Sequence, residues 1–156
     1  MAESTEKPWH AAFPAPRNTA ASITREEVLQ WMREGKEPGK DYVLVDLRRN
    51  DHEGGTIRGS LNLPAQNLYP SLPTVYSLLS AGGVKYILWY CGSSAGRGTR
   101  AANWFADYLE DRGDSSIKSL VLQGGIKGWV GAGAEYRECM EGFDEQVWRG
   151  MGIELK

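Results

Sequence analysis

K-Y-I-L-W-Y-C-G-S-S-A-G-R-G-T-R-A-A-N-W-F-A-D-Y-L, residues 85–109, runs through three different patterns in direct succession. Lys85 to Tyr90 is an apolar, β-prone run, which predicts a buried strand. From Thr99 to Leu109 the apolar residues Ala101, Ala102, Phe105 and Leu109 recur at helical spacing. Between them stands a loop of small residues, Cys91 to Arg97. Strand, loop and helix in this order put the loop at the carboxyl end of a strand, the edge of an open α/β sheet at which ligands bind.

The composition of that loop has a chemical meaning. Gly92, Ser93, Ser94, Ala95 and Gly96 allow successive backbone amides to turn inward, and the following helix adds the positive end of its dipole. The result is a cradle for an anion. Amides and guanidinium together are expected to favour the Cys91 thiolate. The planar fork of Arg97 suits two oxygens of a bound oxyanion. A lone cysteine is more often a small buried hydrophobe, but here strand, small-residue loop, arginine and helix coincide. Ser93 and Ser94 either bond the thiolate or only shape the turn.

Working outward, Tyr42 to Asp46 (Y-V-L-V-D) is a second apolar run; its lack of polar alternation implies a strand covered on both faces, as in a parallel sheet. Ile117 to Leu122 supplies a further strand, and Gly124 and Gly125 turn the chain toward a short helix at Ile126 to Val130. Thr24 to Glu27 (T-R-E-E) is a capping box that opens an amphipathic helix carrying Val28, Trp31 and Met32. Ile57 to Pro64 reads as a short strand or extended connection, and Asn67 to Leu79 as a helix with Pro73 near a break or first turn. Residues 1–21, rich in Pro and Ala, read as an extended arm that Trp9 and Phe13 pin to the domain, leaving residues 22–156 as one catalytic domain. The alternation of strands and helices gives an α/β fold: an open, mostly parallel sheet with helices on both faces.

Composition narrows the function classes. A net charge of −2 argues against nucleic acid as a partner, and no segment approaches the roughly twenty apolar residues of a membrane span. The expected setting is the cytoplasm, with the nucleus as a second compartment. Cys91 and Cys139 lack C-x-x-C or Cys/His ligand spacing, so neither a metal site nor a disulfide framework is expected.

Three blocks, in order, resemble the rhodanese-homology domain, over approximately Ile23 to Val130. They are the cysteine loop, V-L-V-D-L-R-R-N-D-H-E-G-G-T-I-R-G-S-L-N-L-P at 43–64, and L-Q-G-G-I-K-G-W at 122–129. Five residues separate Cys91 from Arg97, and this spacing is similar to that of cell-cycle dual-specificity phosphatases and fungal arsenate reductases. Sulfurtransferases of the family have a shorter loop. The continuation G-T-R-A-A after Arg97 and the arm P-W-H-A-A-F-P-A-P-R at 8–17 also resemble small fungal members of the longer-loop group. Thr56 stands where the family usually has His, and Tyr90 where the phosphatases and arsenate reductases usually have His.

The resemblance implies an enzyme with Cys91 as nucleophile and Arg97 as charge stabiliser, acting on a phosphorylated protein, a small phosphomonoester or arsenate. It implies no bound cofactor; arsenate reduction would draw on external glutathione or glutaredoxin. The alternatives are a sulfurtransferase, which Tyr90 favours and loop length disfavours, and a non-catalytic interaction module, which the intact Cys91 and Arg97 disfavour. The loop lacks the carboxylate that cell-cycle phosphatases carry there, leaving Asp51, His52 and Glu53 as weaker candidates for the acid. Asp46 is expected to brace the loop or pair with an arginine. Arg48, Arg49, Arg58 and above all Arg100, one turn after Arg97, are candidates for steering anions. His10 and His52 are read as surface residues, and Cys139 as a plain thiol rather than a resolving one. Substrate and oligomeric state stay open.

Overall fold

The structure is a computed structural model that describes residues 8–156. Five parallel strands form the central sheet in the order β1-β6-β5-β2-β4: β1 Ala21–Ile23, β2 Tyr42–Asp46, β4 Ser60–Asn62, β5 Tyr86–Tyr90 and β6 Lys118–Leu122. A separate antiparallel pair joins β3, Thr56–Ile57, to β7, Met140–Glu141. The helices are α1 Arg25–Arg33, α2 Leu72–Gly82, α3 Arg97–Arg112, α4 Gly125–Gly131, α5 Ala134–Arg137 and α6 Glu145–Gly150.

Side chains that alternate along each strand feed two cores. Val43, Val45, Ile87, Trp89 and Val121 pack with Leu72 and Leu79 of α2 and Ala101, Trp104 and Phe105 of α3. Tyr42, Leu44, Leu88, Tyr90 and Leu122 pack on the other face with Val28 of α1, Ile126 and Trp129 of α4, Tyr136 of α5 and Trp148 of α6. Both faces are covered by helices, which is why the central strands carry no polar alternation.

Local signals set several element ends. The Thr24 box is formed in both directions: the Glu27 amide donates to Thr24 Oγ1 at 3.2 Å and the Thr24 amide to Glu27 Oε2 at 3.0 Å. α2 begins later than the expected Asn67. Residues 65–71 form 3-10 turns instead, and Pro73 lies in the first turn of the helix. Pro70 and Pro73 bring no amide to an α ladder, so a helix begun earlier would lose hydrogen bonds.

Of the expected arm, residues 1–7 lie outside the described ones. The rest is not simply extended. Trp9–Ala12 form a 3-10 turn, and Trp9 and Phe13 each set their rings 5.9 Å from Trp104. The amides of Arg17 and Asn18 donate to the Asp107 carboxylate, and Ala21 is already the first residue of β1. The division at residue 21 therefore falls inside an edge strand.

Candidate active site

Cys91 follows β5 directly, and its side chain lies 3% exposed at the floor of the loop. Its sulfur accepts the Ser94 amide at 3.2 Å and the Gly98 amide at 3.4 Å. Helix α3 starts at Arg97 and its N-cap, Gly96, offers no side-chain oxygen, so first-turn amides are left for the loop. Ser94 has a left-handed φ of 64°; its Oγ accepts the Cys91 amide at 3.4 Å and its carbonyl accepts Thr99 Oγ1 at 2.6 Å. Ser93 Oγ accepts the Ala95 amide at 3.4 Å. Both serines bond the loop's own backbone and thereby shape the turn.

The start of the loop is fixed by α4. The amides of Ile126 and Lys127 donate to the carbonyls of Cys91 and Gly92, each at 3.0 Å. These bonds take up the first two carbonyls of the loop. Such an approach requires glycine at 125: φ is 59°, and a Cβ there would stand 2.5 Å from both carbonyl oxygens.

At the mouth, Arg97 is engaged by a carboxylate. Its two terminal nitrogens donate to Asp51 Oδ1 and Oδ2 at 2.8 and 2.6 Å. Those hydrogen bonds, outweighing partial desolvation, hold the Asp51 carboxyl at about 2 and raise the Arg97 guanidinium above its ordinary value. Asp51, Gly92, Lys127, Arg48, Trp148 and Met151 line a cleft of about 110 Å³ beside the loop. A Cβ placed on Gly92 would lie 3.9 Å from both Lys127 Nζ and an Arg97 terminal nitrogen, so two cations flank that residue.

A buried polar cluster stands behind the mouth. Arg48, 1% exposed, donates to Asp46 Oδ1 and Oδ2 and to the carbonyls of Glu53 and Gly55. Asp46 does pair with an arginine, as expected. Arg48 lines the cleft, but its donors are committed to the protein, so its expected part in steering anions is corrected to that of a brace. Thr56 and Tyr90, the two positions where histidine was expected, meet here: Thr56 Oγ1 lies 2.8 Å from the Tyr90 hydroxyl and donates to Asp46 Oδ2 at 2.9 Å. Ser60 Oγ, at 2.7 Å, and the Ile57 amide complete the Tyr90 environment, and burial pushes that phenol well up.

The remaining candidates lie elsewhere. Arg100 stacks 5.9 Å over Trp104 and lines a separate cleft with Ala95, Gly96 and Asn103. Arg58 faces Cys139, at 3.9 Å from its sulfur, and His52 approaches Asp46 at 3.4 Å. Cys91 packs in one core layer and Cys139 against the other, on opposite faces of the sheet, an arrangement that disfavours a direct disulfide. Lys127, Trp148 and Met151 were not legible as mouth residues. Lys127 did stand two places after the Gly124-Gly125 turn, in a block already singled out, whereas the last two carried no local signal. Among the described residues no cluster of three or more His, Cys, Asp or Glu could hold a metal ion, and no helix is long and apolar enough to cross a membrane.

Comparison with known proteins places this site in context. The model of the rhodanese-like domain matches residues 24–132. Arsenical-resistance protein 2 of Saccharomyces cerevisiae is 27% identical over 97 residues, 58% of this chain and 75% of that one. Among solved structures, Ygr203w, a yeast protein tyrosine phosphatase of the rhodanese family, superposes with a TM-score of 0.70 at 24% identity, covering 85% of this chain and 99% of that chain. The As-Sb reductase of Leishmania major gives a TM-score of 0.62 at 23% identity over 68% of this chain and 73% of its own. These two structural likenesses show the fold.

Proposed function

This chain belongs to the rhodanese-like family, and on that premise we propose that it is a cysteine-dependent oxyanion enzyme, a phosphomonoester phosphatase that also reduces arsenate at the same loop. The observation that carries the reading is the Arg97 fork gripping two carboxylate oxygens at 2.8 and 2.6 Å beside the Cys91 loop. A pair of equatorial oxygens on a tetrahedral anion can take the same two donors. The Ser94 and Gly98 amides donate to the sulfur that makes the attack and hold it at the floor of the loop.

Cys91 attacks phosphorus as the thiolate, the ester oxygen leaves, and Arg97 with the loop amides stabilises the charge that develops. Water then cleaves the phosphocysteine. With arsenate the same attack expels one oxygen as water and forms a sulfur–arsenic bond; an external thiol, glutathione or glutaredoxin, then attacks the Cys91 sulfur, and formation of the disulfide leaves the electron pair of the broken bond on arsenic, which departs as arsenite. The 27% identity to an arsenical-resistance protein supports the second activity. A sulfurtransferase reading has less support, because the Tyr90 hydroxyl is taken up by Thr56, Ser60 and the Ile57 amide, in the core layer opposite Cys91.

The test is a side-by-side assay of the purified protein on an aryl phosphate, on arsenate with glutathione and glutaredoxin, and on thiosulfate with cyanide, with calorimetric titration of phosphate. Cys91→Ser is expected to abolish turnover and keep anion binding. Arg97→Lys, which loses the bidentate contact, is expected to weaken both, by about 2–4 kcal/mol in transition-state stabilisation. Wild-type turnover by Cys91→Ser would overturn covalent catalysis.

A further inference from the structure

The Arg97 fork holds one pair of oxygens at a time, and in this structure the pair is Asp51's. An oxyanion entering the loop must therefore exchange with that carboxylate. The exchange is local. The backbone around Asp51 is anchored by Arg48, which donates to the Glu53 and Gly55 carbonyls at 3.0 and 2.8 Å, and by Trp148, which donates to the Gly54 carbonyl at 2.7 Å. The carboxylate also accepts the Arg49 amide at 3.2 Å, and its side chain is 47% exposed. Rotation about the side-chain bonds can move it while its Cα stays at the mouth.

Resting on the oxyanion-enzyme reading, we infer that Asp51 is the group the substrate displaces from Arg97 and that, once displaced, it protonates the leaving oxygen. An in-line attack by Cys91 expels the leaving group on the side away from the sulfur, toward the opening of the loop. Among the described residues, Asp51 is the one acid that lines the cleft beside the loop, together with Lys127 of α4 and the committed Arg48, and it grips Arg97 of α3. His52, next in sequence, turns to Asp46 instead. Displacement removes the hydrogen bonds that keep the carboxyl ionised and brings an anion beside it; both effects raise its proton affinity. The carboxylate takes up one proton from solvent as the oxyanion binds. In the chemical step the sulfur–phosphorus bond forms, the phosphorus–oxygen bond breaks, and the departing oxygen keeps the electron pair and receives the Asp51 proton. The products are the alcohol, the phosphocysteine and an Asp51 carboxylate again.

Asp51→Asn tests both halves. Calorimetric titration with sulfate at neutral pH reads the exchange, and the variant is expected to bind at least several-fold more tightly than wild type; equal or weaker binding would overturn displacement. Turnover of phenyl phosphate and of p-nitrophenyl phosphate reads the proton. The poor leaving group of the first should lose about 100-fold in kcat, whereas the second, whose phenolate leaves unaided, should lose far less. Equal losses on the two esters, with wild type active on both, would reject the donor role alone. Absence of turnover of either ester by wild type would reject the phosphatase reading and the donor role with it, leaving displacement to stand or fall on the sulfate titration.

Discussion

Thr56 stands where the family pattern has His and Tyr90 where its phosphatases and arsenate reductases have it, and a single contact of 2.8 Å joins these two positions far apart in sequence. A shorter threonine beside a longer tyrosine keeps a hydroxyl network closed behind the mouth, reaching Asp46 and through it Arg48. Tyr90→Phe should therefore cost about 1–3 kcal/mol of stability, from the buried partners left unpaired, with kcat changed less than threefold. Urea unfolding alongside aryl phosphate turnover checks this, and a large loss of kcat at unchanged stability would contradict it. The Asp51–Arg97 bridge has a signature of its own in pH. Arg97 holds the Asp51 carboxyl at about 2, below the usual carboxylate range, so the bridge's contribution is complete above about pH 4 and is lost as pH falls through about 2. Because the pair is partly exposed, wild type should exceed Asp51→Asn by no more than about 1 kcal/mol at neutral pH. That margin should close in unfolding curves taken at pH 2. Cys91 and Arg97 were legible because their signal is local. Asp51 was only a candidate in a turn, since its meeting with Arg97 joins residues far apart in sequence.

At the level of elements, the loop is built by its neighbours as much as by its own residues. α3 supplies amides from its uncapped start, and α4 binds the carbonyls of Cys91 and Gly92. The strand-loop-helix order and the glycine turn before α4 could be read directly, because apolar period and glycine placement are local properties. The start of α2 could not, since an apolar pattern continues through the 3-10 turns at 65–71 while the prolines set where the α ladder begins. Gly125→Ala tests how closely α4 must approach. The methyl would meet two carbonyl oxygens at 2.5 Å with φ at 59°, so overpacking and backbone strain together should cost about 2–4 kcal/mol. Sulfate binding should fall with stability, because the loop can relieve the clash only by moving away from α4. A variant as stable as wild type that binds sulfate normally would show that the approach is not needed.

Across the whole molecule, the site is closed by chain that lies outside the matched domain. The family match ends at residue 132, yet Trp148 and Met151 line the cleft beside the loop. Trp148 is fully buried, its Nε1 donates to the Gly54 carbonyl at 2.7 Å, and the Arg48 guanidinium lies 5.9 Å from its ring. A Cβ on Gly54 would stand 2.5 Å from that Nε1, so the turn and the indole fit only with glycine there. The tail thus anchors the turn that carries Asp51, although no short-range pattern in residues 133–156 announces it, because its effect arises from a contact between distant parts of the chain. Trp148→Ala should cost about 3–5 kcal/mol by loss of a large buried side chain. It should also release Gly54, so that the turn no longer holds Asp51 at the mouth and turnover falls even under conditions where the variant stays folded. Trp148→Phe keeps most of the packing and removes the Nε1 bond, for about 1 kcal/mol. Unfolding midpoints and kcat for both variants, measured where each is fully folded, separate the two contributions. If Trp148→Ala folds with wild-type stability and wild-type kcat, the tail neither supports the core nor positions the turn.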